Sequence, residues 1–132
     1  MKKIILTLCM LPLLIWVQGC AQATYEIEGY TASSMNPDIP VPSNAKLIKI
    51  ITDSGNRNIK EGVMYELKHI GGEQGLYPPL DYFQKLADTG WVELEEERLG
   101  HVHFLKKDTT VIAIEIREDT FQITELVEGA ME

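Results

Sequence analysis

Cysteine is almost absent from this chain of 132 residues. The only two cysteines, Cys9 and Cys20, lie close to the start of the chain, and none follows them. The rest of the chain therefore has neither a disulfide nor a thiol nucleophile. Its hydrophobic core must stabilise it alone, and a domain near this size buries roughly 60 to 70% of its unfolded surface, which allows independent folding.

Positive charge is also scarce. Lys and Arg number 12 against 20 Asp and Glu, which gives a formal net charge of −8. An acidic protein is repelled by phosphate backbones and by anionic lipid headgroups. This balance argues against nucleic acid as a partner, and it predicts that any membrane contact comes from lipid and not from a basic patch.

The common catalytic motifs are missing as well. No Gly-x-Ser-x-Gly sequence occurs. Residues 71–75 are rich in glycine and precede a predicted helix, but they lack the Lys-Ser/Thr ending of a phosphate-binding loop. We interpret them as a mobile loop. With no recognisable catalytic constellation, the sequence predicts neither an enzyme nor a bound cofactor.

The N-terminal residues carry the strongest signal. Lys2 and Lys3 precede a predominantly apolar run over residues 4–17, and the run is followed by Gln18, Gly19 and Cys20. Such a run is shorter than the ~20 residues that a membrane-spanning helix needs, whereas it fits a signal peptide. Gly19 supplies the small residue that a signal peptidase requires.

The segment Val17-Gln18-Gly19-Cys20 resembles the bacterial lipobox, with Gln18 in place of the usual small or β-branched residue. The resemblance implies cleavage after residue 19, acylation of Cys20 (a palmitate-type lipid anchor) and export to the cell envelope. Removal of Lys2 and Lys3 then takes the formal charge from −8 to −10. Ala21 resembles the sorting signal for the periplasmic face of an outer membrane. An ordinary secretory peptide cut near Ala21 or Ala23, or a retained signal anchor, are the alternatives.

Residues 20–43 are predicted to form an acylated, flexible tether. They show no sustained helical or strand period, and Pro37, Pro40 and Pro42 favour an extended spacer that lifts the domain from the bilayer. The alternative is that Ile39 and Val41 pack as an edge segment of the sheet.

Residues 44–128 show the patterns of one folded domain, followed by a tail at 129–132. Residues 79–89 have apolar side chains at helical spacing, start with Pro79 and precede Gly90, which predicts one short helix. Short polar turns between the extended segments favour antiparallel strands. We predict an α+β domain: a curled antiparallel sheet of about five or six strands with one helix packed on one face, in the order β-β-α-β-β-β-β. The strands are predicted at 46–52, 63–68, 91–98, 101–106, 110–116 and 120–127.

The domain also shows a resemblance. Pro40-Val41-Pro42 with Ala45, and then Tyr82-Phe83, Leu86 and Gly90-Trp91, look like small bacterial lipoprotein and secreted domains of undefined activity. A weaker similarity is to the helix-on-sheet domains of accessory lipoproteins in outer-membrane β-barrel assembly. These motifs imply architecture and not mechanism.

Three histidines are candidate metal ligands. His101 and His103 are two apart on a predicted strand and share a face, and His69 is a candidate third imidazole. Against this, Val102 and Phe104 are expected to face the core, which makes the histidine face an ordinary solvent face. A pH-sensing role for the pair is a further alternative.

An acidic cluster follows the predicted helix. On an extended strand Glu93, Glu95 and Glu97 share a face with Trp91. Paired carboxylates suit glycoside hydrolysis, and acidic clusters also bind calcium weakly. Adjacent like charges are more typical of a solvated, aggregation-resistant sheet edge.

Three aromatic residues near the predicted helix ends, Tyr77, Tyr82 and Trp91, are candidate partner-binding residues, because aromatic anchors are enriched at protein interfaces. The alternative places Trp91 in the core beneath the helix. The sequence therefore predicts a lipid-anchored lipoprotein whose domain binds or scaffolds another envelope component. The alternative is a periplasmic module that binds or senses a small ligand.

Overall fold

The computed structural model describes residues 24–131. These residues form one α-helix, eight β-strands and two single-turn 3-10 helices at Glu73–Gly75 and Glu95–Glu97. The predicted α+β class, with one helix and an antiparallel sheet, is confirmed. The elements are β1 (Tyr30–Ala32), β2 (Pro40–Pro42), β3 (Lys46–Ile51), β4 (Ile59–Glu66), α1 (Leu80–Asp88), β5 (Val92–Glu93), β6 (Val102–Lys107), β7 (Thr110–Ile116) and β8 (Thr120–Leu126).

Six strands form the main sheet, in the spatial order β3-β4-β8-β7-β6-β5, and every neighbouring pair is antiparallel. The sheet is open, so β3 and β5 are its two edges. The predicted order lacked β1 and β2, which form a separate two-stranded sheet.

One face of the main sheet is buried over its central strands. Alternation along β7 and β8 directs every second side chain to this face, as the period of a strand requires. Tyr82 and Leu86 of α1 pack against it, and both are completely buried. The five strand residues at its centre are likewise inaccessible to water: Ile112, Ile114, Ile116, Phe121 and Ile123.

The predicted tether is wrong from Tyr25 onward. β1 and β2 pair with each other, and Ile39 and Val41 are buried in the core. The alternative, that these two residues pack as an edge segment, is closer, although β2 joins β1 and not the main sheet. Prolines are tolerated here because a short two-stranded ribbon leaves N–H positions that need no partner in a ladder.

The helix begins and ends close to the prediction. Pro79 is its N-cap, Asp81 lies in its first turn, where the helix dipole favours a negative charge, and Thr89 is its C-cap. Gly90 follows with a φ of 101°, a conformation that glycine adopts at little cost. The chain then returns to the sheet at Trp91.

Other boundaries differ more. The strand predicted at 91–98 is only two residues long, because the chain turns into a 3-10 helix at Glu95. The predicted tail at 129–132 is partly packed, since Ala130 and Met131 are half-buried. No helix in the described part of the chain has the length and apolar character needed to cross a bilayer. Cys20 and the signal peptide predicted at 1–19 lie outside the described residues.

Candidate functional sites

The three candidate aromatic residues separate into two buried ones and one exposed one. Tyr82 is buried, and its hydroxyl donates to the Pro40 carbonyl at 2.9 Å. Trp91 is buried, and its indole Nε1 donates to the Asp38 carbonyl at 2.9 Å. The prediction that Tyr82 and Trp91 bind a partner is therefore wrong. Tyr82 attaches β2 to the helix layer, and Trp91 attaches the turn before β2. Tyr77 alone is exposed, at 54%.

The three candidate histidines do not converge. The His69 ring lies 4.0 Å from the Asp119 carboxylate, whereas Nδ1 of His101 lies 3.0 Å from the Gly75 carbonyl. Nδ1 of His103 has a third, separate partner. Across residues 24–131, no group of three or more His, Cys, Asp or Glu side chains is placed to hold a metal ion.

The face assigned to the histidines from the sequence is also wrong. His103 pairs with Ile114 on the buried face and is only 4% exposed, whereas Val102 and Phe104 lie on the opposite, partly open face. The reason is the position of the helix, because the Phe83 ring packs on the His103 ring with centroids 4.6 Å apart.

Glu93 supplies the buried imidazole with a partner. Nδ1 of His103 lies 2.8 Å from Oε1 of Glu93, and because a carboxylate only accepts, this nitrogen carries the hydrogen. Arg98 donates to the same oxygen from Nε at 3.1 Å and from Nη2 at 2.5 Å. Burial acts to raise the pKa of Glu93, but the hydrogen bonds from His103 and Arg98 outweigh it and lower the pKa below its usual value.

An imidazole oriented by a carboxylate is the arrangement of many general acid–base sites. Here the ring is enclosed by Phe83 and borders a small cavity of about 210 Å³ that it shares with His101, Leu76 and Pro78. Burying a histidine requires a hydrogen-bond partner in any case. The pair is explained by this requirement, and it connects the short edge strand that carries Glu93 to β6.

The acidic cluster is divided by the 3-10 turn. Glu93 lies in the ion pair with Arg98, whereas Glu95, Glu96 and Glu97 are exposed and border a groove of about 570 Å³. The prediction that Glu93, Glu95 and Glu97 share a strand face with Trp91 is wrong, because the Glu97 amide turns back to the Leu94 carbonyl at 3.0 Å.

The glycine-rich loop, predicted to be mobile, is hydrogen-bonded to the turn between β7 and β8. The Gly71 amide donates to the Glu118 carbonyl at 3.1 Å, and a Cβ at Gly71 would lie 2.0 Å from the Arg117 carbonyl oxygen. No side chain fits at that approach. Gly71 therefore allows the loop backbone to pack directly against the turn between β7 and β8.

Helix α1 packs on the sheet through Tyr82 and Leu86, which are completely buried in the core. A groove of about 340 Å³ lies on the opposite, open face of the sheet. Its lining includes Val102, Phe104, Ala113, Leu126 and Met131.

Sequence reasoning missed the exposure of β3. This strand pairs only with β4 among the described strands, and five of its six residues are exposed. Leu47 and Ile50 lie opposite Tyr65 and Val63, so they point to the covered face of the sheet, yet the covering layer does not reach them. We call the free backbone of Lys46–Ile51, with the exposed side chains of Leu47, Ile48 and Ile50, the β3 edge.

A signal for this edge is present in the sequence. Residues 46–51 read Lys-Leu-Ile-Lys-Ile-Ile, which puts aliphatic residues on both faces and two lysines among them. Lysine is one of the residues with which proteins protect edge strands from unwanted pairing. The lack of strict alternation over residues 46–51 is therefore the signal by which an exposed edge strand could have been predicted.

Comparison of the chain with protein-family models, curated proteins and solved structures gives no match.

Proposed function

We propose that this chain is a lipid-anchored lipoprotein of the cell envelope whose domain is a non-catalytic protein-binding module, and that the β3 edge is its binding surface. The exposure of this edge carries the proposal. Ile50 is 61% exposed although it points to the covered face of the sheet. The lipobox-like segment ending at Cys20 supports the anchor, since two acyl chains give durable membrane attachment.

An exposed edge strand binds an extended segment by adding it to the sheet. The free N–H and C=O groups supply main-chain hydrogen bonds, and exposed side chains supply specificity. Here Leu47 and Ile50 extend the apolar face of the sheet beyond its cover, so an added strand with aliphatic side chains on that face would bury them.

Charge indicates which kind of segment fits. Lys46 and Lys49 are exposed on β3, although the chain as a whole is acidic. Two copies of β3 pairing with each other in the antiparallel register that aligns residue 46 with residue 49 would bring these lysines together, and like charges on adjacent strands are destabilising. The partner segment is therefore a different sequence that carries acidic residues beside aliphatic ones.

The test is crosslinking in cells from two positions. A photo-reactive amino acid replaces Ile50 on the β3 edge or, as the matched control, Val92 on the opposite edge, which is 65% exposed. Each is expressed with native Cys20 and with Cys20→Ala. We expect one dominant envelope protein crosslinked from position 50, little from position 92, and loss of the product when Cys20 is replaced. Equal crosslinking from both edges, or none from position 50, contradicts the proposal.

A second candidate function is the binding of a small apolar ligand in the open-face groove. The observation that favours it is the lining of that groove by Phe104, Ala113 and Leu126, on the face of the sheet opposite to helix α1. Ala113→Trp would fill the groove. Loss of thermal stabilisation by a screened ligand in this variant, with the fold unchanged, would support the second function over the first.

A further inference from the structure

The described part of the chain begins four residues after the proposed anchor. The Tyr25 hydroxyl donates to the Asp81 carboxylate, and burial together with this hydrogen bond raises the pKa of Tyr25, so the hydroxyl remains a donor. The next residues are held by Asn44, whose side chain donates to the Glu26 carbonyl at 2.8 Å and accepts from the Glu28 amide at 3.1 Å. Tyr25 is therefore attached to the domain by its own side chain.

This attachment leaves little length between lipid and domain. Cys20 is five residues before Tyr25, and five Cα–Cα steps span at most about 18 Å. A folded domain of this size is roughly 30 Å across. The lipid on Cys20 cannot pass around the domain, so the side that carries Tyr25 and Asp81 must face the bilayer.

Three exposed apolar residues lie within five positions of Asp81 along the chain. Leu80 precedes Asp81 and is 77% exposed, Leu76 is 62% exposed, and Tyr77 lies between them in the sequence. We call Leu76, Tyr77 and Leu80 the Leu80 patch. Leucine with tyrosine is the combination that partitions into the region between headgroups and acyl chains.

The Leu80 patch is presented by a rigid segment. The Tyr77 amide donates to the Gly71 carbonyl at 2.8 Å, and the Tyr77 ring lies over Gly72, where a Cβ would come within 2.8 Å of it. Leu80 is the first residue of the helix. The exposure of these side chains is therefore set by the fold and is not a consequence of a loose loop.

The surroundings of the Leu80 patch favour lipid of a particular kind. Residues 71–85 contain Glu73 and Asp81 against a single lysine, Lys85, one turn after Asp81 on the helix, so this surface has no excess of positive charge. Anionic headgroups would gain nothing from this surface, whereas uncharged lipids would accept its apolar side chains. The occupant that fits is the interfacial layer of a zwitterionic bilayer.

From these steps we infer that the Leu80 patch is a second membrane contact, which seats the domain against the bilayer to which Cys20 is anchored. The inference rests on the proposed acylation of Cys20. Residues 20–43 were predicted to lift the domain from the bilayer, whereas this inference places the domain on the membrane surface. The β3 edge then has a fixed orientation relative to the membrane.

The experiment uses the acylated chain in phosphatidylcholine vesicles. Because the acylated chain has no free thiol, Leu80→Cys provides a single site for a nitroxide label, and the high exposure of Leu80 means that the substitution leaves the core intact. Ile50→Cys, at an exposed aliphatic site on the β3 edge, is the matched control. Mass spectrometry of the vesicle-bound protein establishes the lipid on Cys20 independently of the label.

We expect the label at position 80 to be at least several-fold more accessible to oxygen than to a water-soluble nickel complex, and the label at position 50 to show the reverse. Equal aqueous accessibility at the two positions, with the lipid present, overturns the membrane contact and leaves the anchor standing. Protection of position 80 in the unacylated Cys20→Ala chain, in buffer without lipid or detergent, also overturns it, since a second protein molecule would then cover the patch. Absence of lipid on Cys20 overturns the proposed anchor and this inference together.

Discussion

β2 and β3 follow each other along the chain, and their burial is opposite. β2 is Pro-Val-Pro and is buried throughout, whereas the more aliphatic β3 is exposed over almost its whole length. β2 lies beside the helix on the covered face, attached through Tyr82 and Trp91. β3 lies beyond the last covered strand. Position relative to the covering layer, and not hydrophobicity, decides which of the two strands is core.

The largest expected effect comes from truncating the segment that leads into β2. Ile39 is completely buried. Ile39→Ala should lower the free energy of unfolding by about 2–5 kcal/mol, because it removes buried methyl groups and leaves a cavity. Urea unfolding followed by circular dichroism measures this. A loss well under 1 kcal/mol would show that β1 and β2 do not belong to the cooperative core, and the contrast with β3 would fail.

A smaller effect is expected from Tyr82→Phe, which keeps the ring in the core and removes only its hydroxyl. The buried hydrogen bond to the Pro40 carbonyl is then lost, and the acceptor has no equivalent replacement. We expect a loss of about 1–3 kcal/mol in the free energy of unfolding, the range for a buried acceptor left unpaired. Tyr77→Phe, at an exposed ring, is the control and should change stability little. Equal losses in the two variants would contradict the attachment of β2 by Tyr82.

Local patterns predicted most of the main sheet and the helix. The strand predicted at 110–116 and the helix predicted at 79–89 agree with β7 and α1 to within a residue. Their patterns are long and periodic, and Pro79 and Gly90 mark the helix ends. β1 and β2 could not be predicted in this way, because three-residue strands carry no period and their burial depends on distant contacts with α1.

The histidines show a second limit of local patterns. A period of two correctly places His101 and His103 on one side of the strand and Val102 and Phe104 on the other, but it does not say which side the helix covers. The helix covers the His103 side through Phe83, and Glu93 satisfies the imidazole. Phe83 is 20 residues before His103 in the sequence and Glu93 is 10 residues before it. These two contacts of His103 could therefore be known only from the fold.

Glu93→Gln tests the other edge strand of the main sheet, β5. Hydrogen bonds that the Glu93 carboxylate accepts from Arg98 and from His103 attach β5 to its surroundings. We expect a loss of about 1 kcal/mol at neutral pH, since a neutral amide accepts more weakly from Arg98 and His103. The pKa of Glu93 is lowered in the folded state, so its stabilisation is present above the ordinary glutamate pKa of about 4.3 and is lost as the pH falls through the lower, folded-state pKa.

The native chain and Glu93→Gln should therefore converge in stability at acid pH. Thermal unfolding of both proteins from neutral pH down to about pH 3 measures the difference. Glu96→Gln, at an exposed position of the same cluster, is the control and should parallel the native chain. A difference that grows as the pH falls would show that the ion pairs of Glu93 do not stabilise β5.

The smallest effect on stability is expected at the β3 edge, where Ile50→Ala should change the free energy of unfolding by less than about 0.5 kcal/mol, the usual range for an exposed site. Ile39→Ala removes the same atoms from the buried segment, so the two variants differ only in whether the isoleucine is buried or exposed.

The same variant tests the binding role of the β3 edge. If the Ile50 side chain contacts a partner, Ile50→Ala should weaken crosslinking from a photo-reactive residue at position 48 while the fold is unchanged. A loss of stability as large as that of Ile39→Ala would mean that β3 is core, and the edge would no longer support a binding role.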